Sequence, residues 1–508
     1  MRVVLVQPSL EDFYATPHRL SALGGFSIKA LLEKQGHSVE LINFPLMGKK
    51  PRKTALPDYA SHLTPYLLEE KGPVSYFTDW CRWGPDPNAS ARIILDKSPD
   101  LVLVSLFAYA YGEEALALGR AIKELSRPGQ ILPIVVGGAG VTVRPEYFTA
   151  EPSLDLILAG EGEVLFSDYT LEDIRALALG PTRLIRGERY CEAGEMIPLF
   201  SSTSRGRNHV QVATLLSRGC PRGCRFCSNH LTQGKRMRRI EPAQVEEAFC
   251  RFLRQAELDR NNKLTLDLED DNLLMNKNYF RDVLERLNRV WCDEGRNGED
   301  LFFTAENGMD YELLDRDLLV ELCRKGFRQF NFSLASANPQ LAERENRFYR
   351  PDALAEHLAF LKEKEIPSVT YFISGLAGDS RVSTAEALSF LASLPTTLGI
   401  SLFYAVPGLP GFDGHDPLGG NPAGMCRGSL AYPWNGTLST ESLITAFRLS
   451  RLINLLKDRS QAAFHEDLIA SIFRDNRLYT YDRHKKKIPV VHQDGDLVKD
   501  VLNSITFR

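Results

Sequence analysis

The first 165 residues alternate between short apolar runs and stretches with helical spacing of apolar positions. The apolar runs are rich in β-branched residues and predict strands, and stretches such as 27–35 and 113–125 predict helices between them. Strands that are apolar throughout and separated by helices are typical of a parallel sheet covered on both faces. We therefore expect a doubly wound α/β domain over residues 1–165. Its predicted strands are residues 3–6, 39–43, 101–105, 131–136 and 156–159.

A second βα series begins at residue 209 and predicts a partial (β/α)6 barrel over 209–414. Residues 166–208 are polar and suggest an irregular linker, and 415–508 suggest a small, mostly helical C-terminal region. Residues 45–90 interrupt the first series with prolines and tryptophans, which predicts an insertion that covers the site. The predicted barrel strands are residues 210–215, 264–268, 301–305, 329–333, 368–374 and 398–404.

Glycines and polar residues follow the predicted strands in both halves. Parallel sheets and βα-barrels bind ligands at the carboxyl ends of their strands, so these residues should converge. Tight turns are the simpler explanation for any single glycine. In the first half the candidates are Ser105, Leu106, Gly137, Gly138, Ala139, Glu161 and Gly162. In the barrel they are Glu269, Asp270, Glu306, Ser336 and Gly375.

Composition excludes several classes of protein. The 508 residues are 44% hydrophobic and 25% charged, as in a folded globular chain of several domains. A net charge of −4 gives no basic field for nucleic acid, so we expect no nucleic-acid partner. The apolar runs stay shorter than the ~20 residues of a spanning helix. We expect a cytoplasmic monomer without a transmembrane segment.

Three of the nine cysteines, Cys220, Cys224 and Cys227, fall within eight residues, in a C-x3-C-x2-C run after the first barrel strand. Thiolates this close repel one another unless a metal neutralises them, which indicates an iron–sulfur cluster or zinc. Three cysteines leave one iron of a cluster open to a small molecule. A Cys3His zinc site that adds His230 is the alternative. The other six cysteines are scattered and suit packing.

The C-x3-C-x2-C loop, with Phe226 before its last cysteine, resembles the signature of the radical SAM superfamily. That resemblance implies a [4Fe-4S] cluster on the three cysteines and S-adenosylmethionine (SAM) on the open iron, with Phe226 against the adenine. It also implies SAM contacts from Glu269, Asp270, Glu306, Ser336 and Gly375, the last from a motif Phe-Ile-Ser-Gly-Leu-Ala-Gly that begins at residue 372.

The N-terminal half resembles the Rossmann-like, flavodoxin-like cobalamin-binding domain of one radical SAM subfamily. The similarity lies in 23–26, in Gly137-Gly138-Ala139 and in Gly160-Glu161-Gly162-Glu163, and it implies cobalamin contacts from the strand-end residues given above. The Asp-x-His-x-x-Gly motif that supplies a histidine to cobalt is absent, because His18 lacks the flanking Asp and Gly. A Gly-x-Glu-Ser segment common at the fourth barrel strand is replaced by Ser333-Leu334-Ala335-Ser336, so Glu306 would have to supply that carboxylate.

The resemblance implies a cobalamin-dependent radical SAM C-methyltransferase that acts on an unactivated carbon through a 5′-deoxyadenosyl radical and methylcobalamin. It also implies a small-molecule, lipid or peptide substrate and an external electron donor such as flavodoxin or ferredoxin. Two alternatives stay open: a non-methylating radical SAM enzyme with a bound or vestigial cobalamin domain, and an electron-transfer or zinc-binding protein. No residue pattern indicates the catalytic residues or the substrate, and for Tyr404, Arg347 and Trp434 packing is the commoner role.

Overall fold

The computed structural model describes residues 1–15, 21–48, 50–67, 70–129, 131–256, 258–259, 261–410, 412 and 422–505, apart from the side chain of Arg205. The strands of the N-terminal part are β1 Arg2–Gln7, β2 Leu10–Asp12, β3 Ser38–Asn43, β4 Arg52–Lys53, β5 Cys81–Trp83, β6 Leu101–Ser105, β7 Ile134–Gly137, β8 Leu156–Ala159 and β9 Leu184–Arg186. The helices are α1 Leu23–Lys34, α2 Pro87–Asp96, α3 Gly112–Leu125, α4 Ala139–Thr142, α5 Pro145–Thr149, α6 Gly162–Asp168 and α7 Leu171–Ala178.

The N-terminal sheet has the strand order β3-β1-β6-β7-β8-β9, and all of its pairings are parallel. This order is flavodoxin-like, with the topological switch point between β1 and β6. Side chains alternate along each strand, so Val3 and Leu5 pack with α1, α6 and α7, whereas Val4 and Val6 pack with α2 and α3. The predicted doubly wound sheet is confirmed, and its fourth strand begins at Ile134 rather than at 131.

The second part is a partial barrel. Its parallel strands β11, β14 and β15 form one sheet and β16, β17 and β18 another, joined by parallel bridges between Phe303 and Phe327 and between Met309 and Phe332. The strands are β10 Phe200–Arg205, β11 His209–Thr214, β12 Ser217–Arg218, β13 Arg238–Arg239, β14 Lys263–Leu268, β15 Leu301–Thr304, β16 Phe330–Ala335, β17 Ser368–Ser374 and β18 Thr397–Leu402. The helices are α8 Asn229–Thr232, α9 Pro242–Gln255, α10 Lys277–Asp293, α11 Arg316–Arg324, α12 Pro339–Arg344, α13 Pro351–Glu363 and α14 Arg381–Ser393.

The stretch 166–208 differs from the irregular linker that its polarity predicts. It holds α7 and β9, which complete the N-terminal sheet, and β10, which pairs antiparallel with β11 at the edge of the barrel. Burial on one face is enough to order these short segments, and their hydrophobic residues are too few to show a pattern in the sequence. The chain therefore passes from sheet to sheet with little irregular structure between them.

The C-terminal region consists of α15 Thr440–Lys457, α16 Arg459–Phe464, α17 Glu466–Asp475, β19 Tyr479–Tyr481, β20 Lys487–Pro489 and α18 Gly495–Ser504. Helix α15 joins the two halves of the molecule, because Leu443 and Ile444 lie in the core of the N-terminal part while Leu449 and Leu452 lie in that of the barrel. The predicted boundary at 414 lies outside the described residues. Nowhere in the described chain is a helix long and apolar enough to cross a membrane.

Candidate active site

A cavity of about 330 Å³ lies between the carboxyl edge of the N-terminal sheet and the barrel. All of the strand-end residues predicted in the first half line it: Ser105, Leu106, Gly137, Gly138, Ala139, Glu161 and Gly162. Further residues complete the lining, among them Gln7, Gly25 from the segment 23–26, and Ser21 and Thr142, which the sequence did not single out. From the barrel side come Leu215, Glu269 and Asp271.

Glycines form one wall of this cavity because the backbone there has no room for side chains. Gly138 has a φ of 109°, and a Cβ at that position would lie 2.5 Å from the carbonyl oxygen of Leu106. At Gly162 a Cβ would lie 2.6 Å from Cδ1 of Ile28 on α1. A large ligand can therefore approach the backbone of β7 and the turn after β8 directly.

The cysteine loop follows the first barrel strand and is fixed by buried carboxylates. Asp270 accepts hydrogen bonds from the Ser217 hydroxyl at 2.5 Å and from the Leu216 amide at 3.1 Å. Asp271 accepts one from the Gly219 amide at 2.7 Å. Arg222, inside the loop, donates to Asp310 at 2.8 Å and to Glu312 at 2.9 Å.

The three thiols of the loop are close enough to influence one another electrostatically. Burial is the main cause that raises the pKa of all three thiols, and the pKa of Cys227 reaches about 12. The neighbouring thiols raise the pKa further at Cys224 and Cys227. Arg347 faces Cys224 and acts in the opposite direction. The Nε atom of Arg347 is buried without a hydrogen-bond partner. An arginine aimed at the thiols suits a negatively charged group bound on them.

Across the described part of the chain, no three His, Cys, Asp or Glu side chains are arranged to hold one metal ion. A zinc ion holds its ligands at ~2.0–2.3 Å and so needs them close together. A four-iron cluster is larger and its thiolate ligands lie further apart.

A second cavity, of about 510 Å³, opens at the mouth of the barrel. Phe226 and Glu306, both predicted as SAM contacts, line it together with the barrel residues Ser333, Tyr371 and Ile373. Aromatic side chains complete its lining: Tyr14 and Phe77 from the N-terminal part, Tyr404 just after β18, and Phe447 on α15. Phe77 belongs to the insertion 45–90, so the insertion does reach this cavity.

Carboxylates inside the barrel keep their protons to unusually high pH. Burial, reinforced by neighbouring carboxylates, raises the pKa of Asp267 to about 7 and that of Glu269 to about 8, and burial also raises the pKa of Glu306. The Glu269 Oε1 atom is buried without a partner, while Oε2 accepts a hydrogen bond from Ser21 at 3.2 Å. A positively charged ligand group would lower these pKa values, and the carboxylates would then act as its counter-charge.

Buried ion pairs join the N-terminal domain to the cysteine loop. Arg238 makes a bidentate pair with Glu161, at 2.6 and 2.7 Å. Arg218, two residues before Cys220, pairs with Glu163 at 2.6 Å. Burial would raise the pKa of Glu163, but Arg218 outweighs it and holds that pKa at about 2. The sequence does not reveal this contact, because its partners are 55 residues apart.

Four of the predicted SAM contacts do not line the barrel cavity. Asp270 is turned toward the cysteine loop, and Glu269 lines the other cavity. Ser336 is buried and its hydroxyl accepts a hydrogen bond from the Asn338 amide at the start of α12. The amide of Gly375 is held by Asp379 at the end of β17.

Four isolated residues are also of interest in the sequence. His18 lies outside the described residues. Trp434 is buried in the core of the N-terminal part, as its packing role predicts. Tyr404, in contrast, lines the barrel cavity, and Arg347 faces Cys224.

Residues 214–391 match the model of the radical SAM superfamily. This part of the chain is similar to the radical SAM superfamily. The matched residues contain the cysteine loop and run through the barrel to α14.

Curated relatives of this chain are named methyltransferases. An uncharacterized methyltransferase of Pyrococcus horikoshii is 23% identical over 328 residues, which cover 60% of the chain and 66% of the relative. Bacteriochlorophyllide d C-12(1)-methyltransferase of Chlorobaculum tepidum is 23% identical over 319 residues, which cover 60% and 62%. The chain thus spans slightly less than two thirds of the length of these relatives.

Solved structures share the fold of this chain. The methyltransferase TsrM of Kitasatospora setae, solved with tryptophan and a SAM analogue, matches at a TM-score of 0.54 and 16% identity over 80% of this chain and 74% of its own. The cobalamin-dependent radical enzyme OxsB, solved with aqua-cobalamin and SAM, matches at 0.51 and 15% over 77% and 52%. The likeness extends over both the N-terminal sheet and the barrel.

Proposed function

We propose that this protein is a cobalamin-dependent radical SAM enzyme that methylates an unactivated carbon. One observation carries the proposal: the cysteine loop borders both cavities. Phe226 lines the barrel cavity, while Thr232 and Gln233, just beyond the last cysteine, line the cavity under the N-terminal sheet. Ligands bound in the two cavities would therefore lie on either side of the cysteine loop.

The residues of each site fit the group assigned to it. Cys220, Cys224 and Cys227 would hold a [4Fe-4S] cluster, with Arg347 as counter-charge. The glycine wall at Gly138 and Gly162 would take cobalamin, because a flat macrocycle needs backbone without side chains. The absent histidine motif means that cobalamin would be held without a protein ligand from that motif.

SAM would lie at the barrel mouth, where Phe226 offers a ring for the adenine. Glu306 and the polar wall of Ser333 and Tyr371 would accept hydrogen bonds from its amino and ribose groups. Asp270 would act on SAM only through the loop that it orders. Glu269 would face the space between the two cavities.

When bound, the cluster and SAM supply a 5′-deoxyadenosyl radical and cobalamin supplies a methyl group. The chain's own task is to bind, orient and exclude water. The aromatic outer wall of Tyr14, Phe77 and Phe447 shields the barrel mouth, and the insertion brings Phe77 to it. A small-molecule, lipid or peptide substrate would enter on this side.

The test is a product analysis of the anaerobically reconstituted protein with SAM, cobalamin, reductant and candidate substrates. Methylated product together with 5′-deoxyadenosine and S-adenosylhomocysteine is expected. Formation of 5′-deoxyadenosine alone would contradict methyl transfer and favour the non-methylating alternative. Failure to bind cobalamin, measured by extraction and absorbance, would indicate a vestigial domain.

The Cys224→Ala variant separates this proposal from an electron-transfer or zinc-binding protein. We expect it to stay folded, because buried ion pairs and hydrogen bonds fix the loop, and to lose both iron and SAM cleavage. A matched control is Cys250→Ala, since Cys250 lies on α9 away from the loop and should retain both. An unfolded Cys224→Ala protein would favour a structural metal.

A further inference from the structure

The cysteine loop begins and ends on one short ribbon of two strands. β12 and β13 pair antiparallel, with Arg218 directly opposite Arg238, and all three cysteines lie between the two strands. Residues directly opposite each other in an antiparallel pair point to the same face of the ribbon. The two guanidinium groups therefore leave the base of the loop on the same side.

Both arginines reach the same turn of the N-terminal domain, the one that follows β8. Arg238 is paired with Glu161. Arg218 is paired with Glu163, and its Nη1 atom also lies 3.9 Å from Glu161. The side chains of these four residues, which we call the Arg–Glu cluster, are at most 11% exposed. Asp271 is a third carboxylate near both arginines. Because the pairs are buried, separating either one would leave a charge without its counter-charge.

The same turn and the same loop also form the wall of the cavity under the N-terminal sheet. Residues 160–163 line this cavity from the turn, and Arg218, Thr232 and Gln233 line it from the loop. Arg238 is not part of the wall, but its Nη2 atom donates to the Gln233 carbonyl at 2.6 Å and so positions the wall from behind. A ligand in the cavity can touch these loop residues only while the loop is in place.

The loop has little regular structure of its own. Between β12 and β13 it contains one helix of four residues, α8, and is otherwise made of turns. Such segments open locally at a lower free energy than the strands of a sheet. Its position therefore depends on side-chain contacts. Asp270, Asp271 and the partners of Arg222 supply them from the barrel, and the Arg–Glu cluster supplies them from the N-terminal domain.

We propose that the Arg–Glu cluster couples the filling of the cavity under the N-terminal sheet to the ordering of the cysteine loop, with Arg218 and Arg238 as positioning residues. The inference rests on the proposed function, which assigns cobalamin to this cavity. A ligand shifts an equilibrium only by the difference in its affinity for the two states. Here the two states are the loop on the cavity wall and the loop detached from it, and the ligand meets the loop residues in the first state alone.

The coupling acts in both directions. A filled cavity favours the ordered loop, and an ordered loop raises the affinity of the cavity for its ligand by the same factor. The cysteines would thus be best positioned for a cluster in chains that already hold the methyl carrier. SAM cleavage without a methyl carrier would be disfavoured in this way.

The test uses methylcobalamin in dim light as the probe and two measurements. The first is hydrogen exchange of the amides at 217–240 in iron-free protein, with and without the probe. The second is the dissociation constant of the probe on iron-free and on anaerobically reconstituted protein. The ratio of the two dissociation constants is the measure of coupling, because it cancels direct effects of a substitution on the cavity wall.

The variant is Arg238→Met/Glu161→Gln, which removes both charges of one pair and so leaves neither buried alone. It keeps Arg218, the arginine that lines the cavity. The matched control is Arg120→Met/Glu151→Gln, since this ion pair of the N-terminal domain belongs neither to the cavity wall nor to the cysteine loop.

In the unaltered protein and in the control, we expect the probe to slow exchange of the loop amides at least about fivefold, and the cluster to lower the dissociation constant by a similar factor. Both effects should fall toward none in the variant. Binding of the probe without slower exchange in the unaltered protein would overturn the coupling alone, and this outcome needs no variant to fold. Equal effects in the variant and the unaltered protein, or equal losses in the control and the variant, would also overturn it. A protein that binds no methylcobalamin in either iron state would overturn the proposed function and the coupling together.

Discussion

At the scale of single residues, the site depends on positions where the neighbouring atoms restrict which side chain the protein can accommodate. Gly138 has a positive φ, and a Cβ atom at this position would lie 2.5 Å from the carbonyl oxygen of Leu106. The side chain of Glu269 lines the cavity, and its buried Oε1 atom has no hydrogen-bond partner. The role of Gly138 can be predicted from its place in a glycine pair after a strand. The role of Glu269 depends on its burial, which arises only in the folded chain.

Gly138→Ala should impair cobalamin binding and destabilise the N-terminal domain by about 1–3 kcal/mol, because the strained φ and the contact with Leu106 both oppose a Cβ. Gly24→Ala is the matched control. Gly24 lines the same cavity and lies in α1 with nothing within 4 Å of its Cβ position, so alanine there should maintain stability or raise it. Denaturant unfolding and cobalamin titration check both. Equal behaviour of the two variants would contradict the steric account.

Glu269 should make stability fall as the pH rises. Its pKa is about 8 in the folded chain and near 4.5 when unfolded, so the folded state holds more protons between these values. The decrease in the free energy of unfolding begins near pH 4.5, continues up to about pH 8 and then levels off. In Glu269→Gln the contribution disappears, so the melting temperature should fall less between pH 5 and 8 than in the unaltered protein. Parallel melting curves for the two would refute this assignment.

At the scale of elements, the cysteine loop is ordered by carboxylates that follow β14 and β15. Asp270 and Asp271 come directly after β14, while Asp310 and Glu312 lie in the segment between β15 and α11. The cysteine spacing predicts a metal loop, but the sequence does not show that these acidic residues serve the loop rather than a ligand. That distinction depends on where side chains point after the strands pair.

Arg222→Met should destabilise the fold by up to about 3–5 kcal/mol, since it removes the ion pairs of the buried Asp310 and Glu312 with Arg222 and leaves only Arg347, 3.7 Å from Asp310. The loop should also exchange its amide protons faster at 219–227, as measured by hydrogen exchange. Arg251→Met provides the comparison, because its pair with Glu247 is exposed and is worth little. Equal losses of stability in Arg222→Met and Arg251→Met would contradict the role of burial.

At the scale of the whole molecule, ion pairs and α15 hold the sheet and the barrel together. Glu161 and Glu163 belong to a strand-end motif of the first domain, and their partners Arg238 and Arg218 flank the cysteine loop. Helix α15 places its first turns in one core and its later turns in the other. The two cavities therefore have a fixed position relative to each other.

The pair Glu163–Arg218 should protect the molecule against acid. The pKa of Glu163 is lowered from 4.5 to about 2, so its stabilisation is complete above pH 4.5 and is lost as the pH falls toward 2. The amount is about 3 kcal/mol at 1.36 kcal/mol per pKa unit. Glu163→Gln should lower stability at neutral pH and flatten the acid limb of the unfolding profile. Glu146→Gln, at an exposed pair, should leave that profile unchanged.

The sequence by itself determined the two βα series, the strand ends and the cysteine loop, because periodicity, glycine placement and thiol spacing are local properties. Every strand-end residue that it selected in the first half lines one cavity. Only the tertiary structure decided which carboxylates order the loop, which face the cavities, and that the polar stretch 166–208 completes both sheets. Those facts depend on burial and on contacts between distant segments such as Glu163 and Arg218, which arise only when the chain has folded.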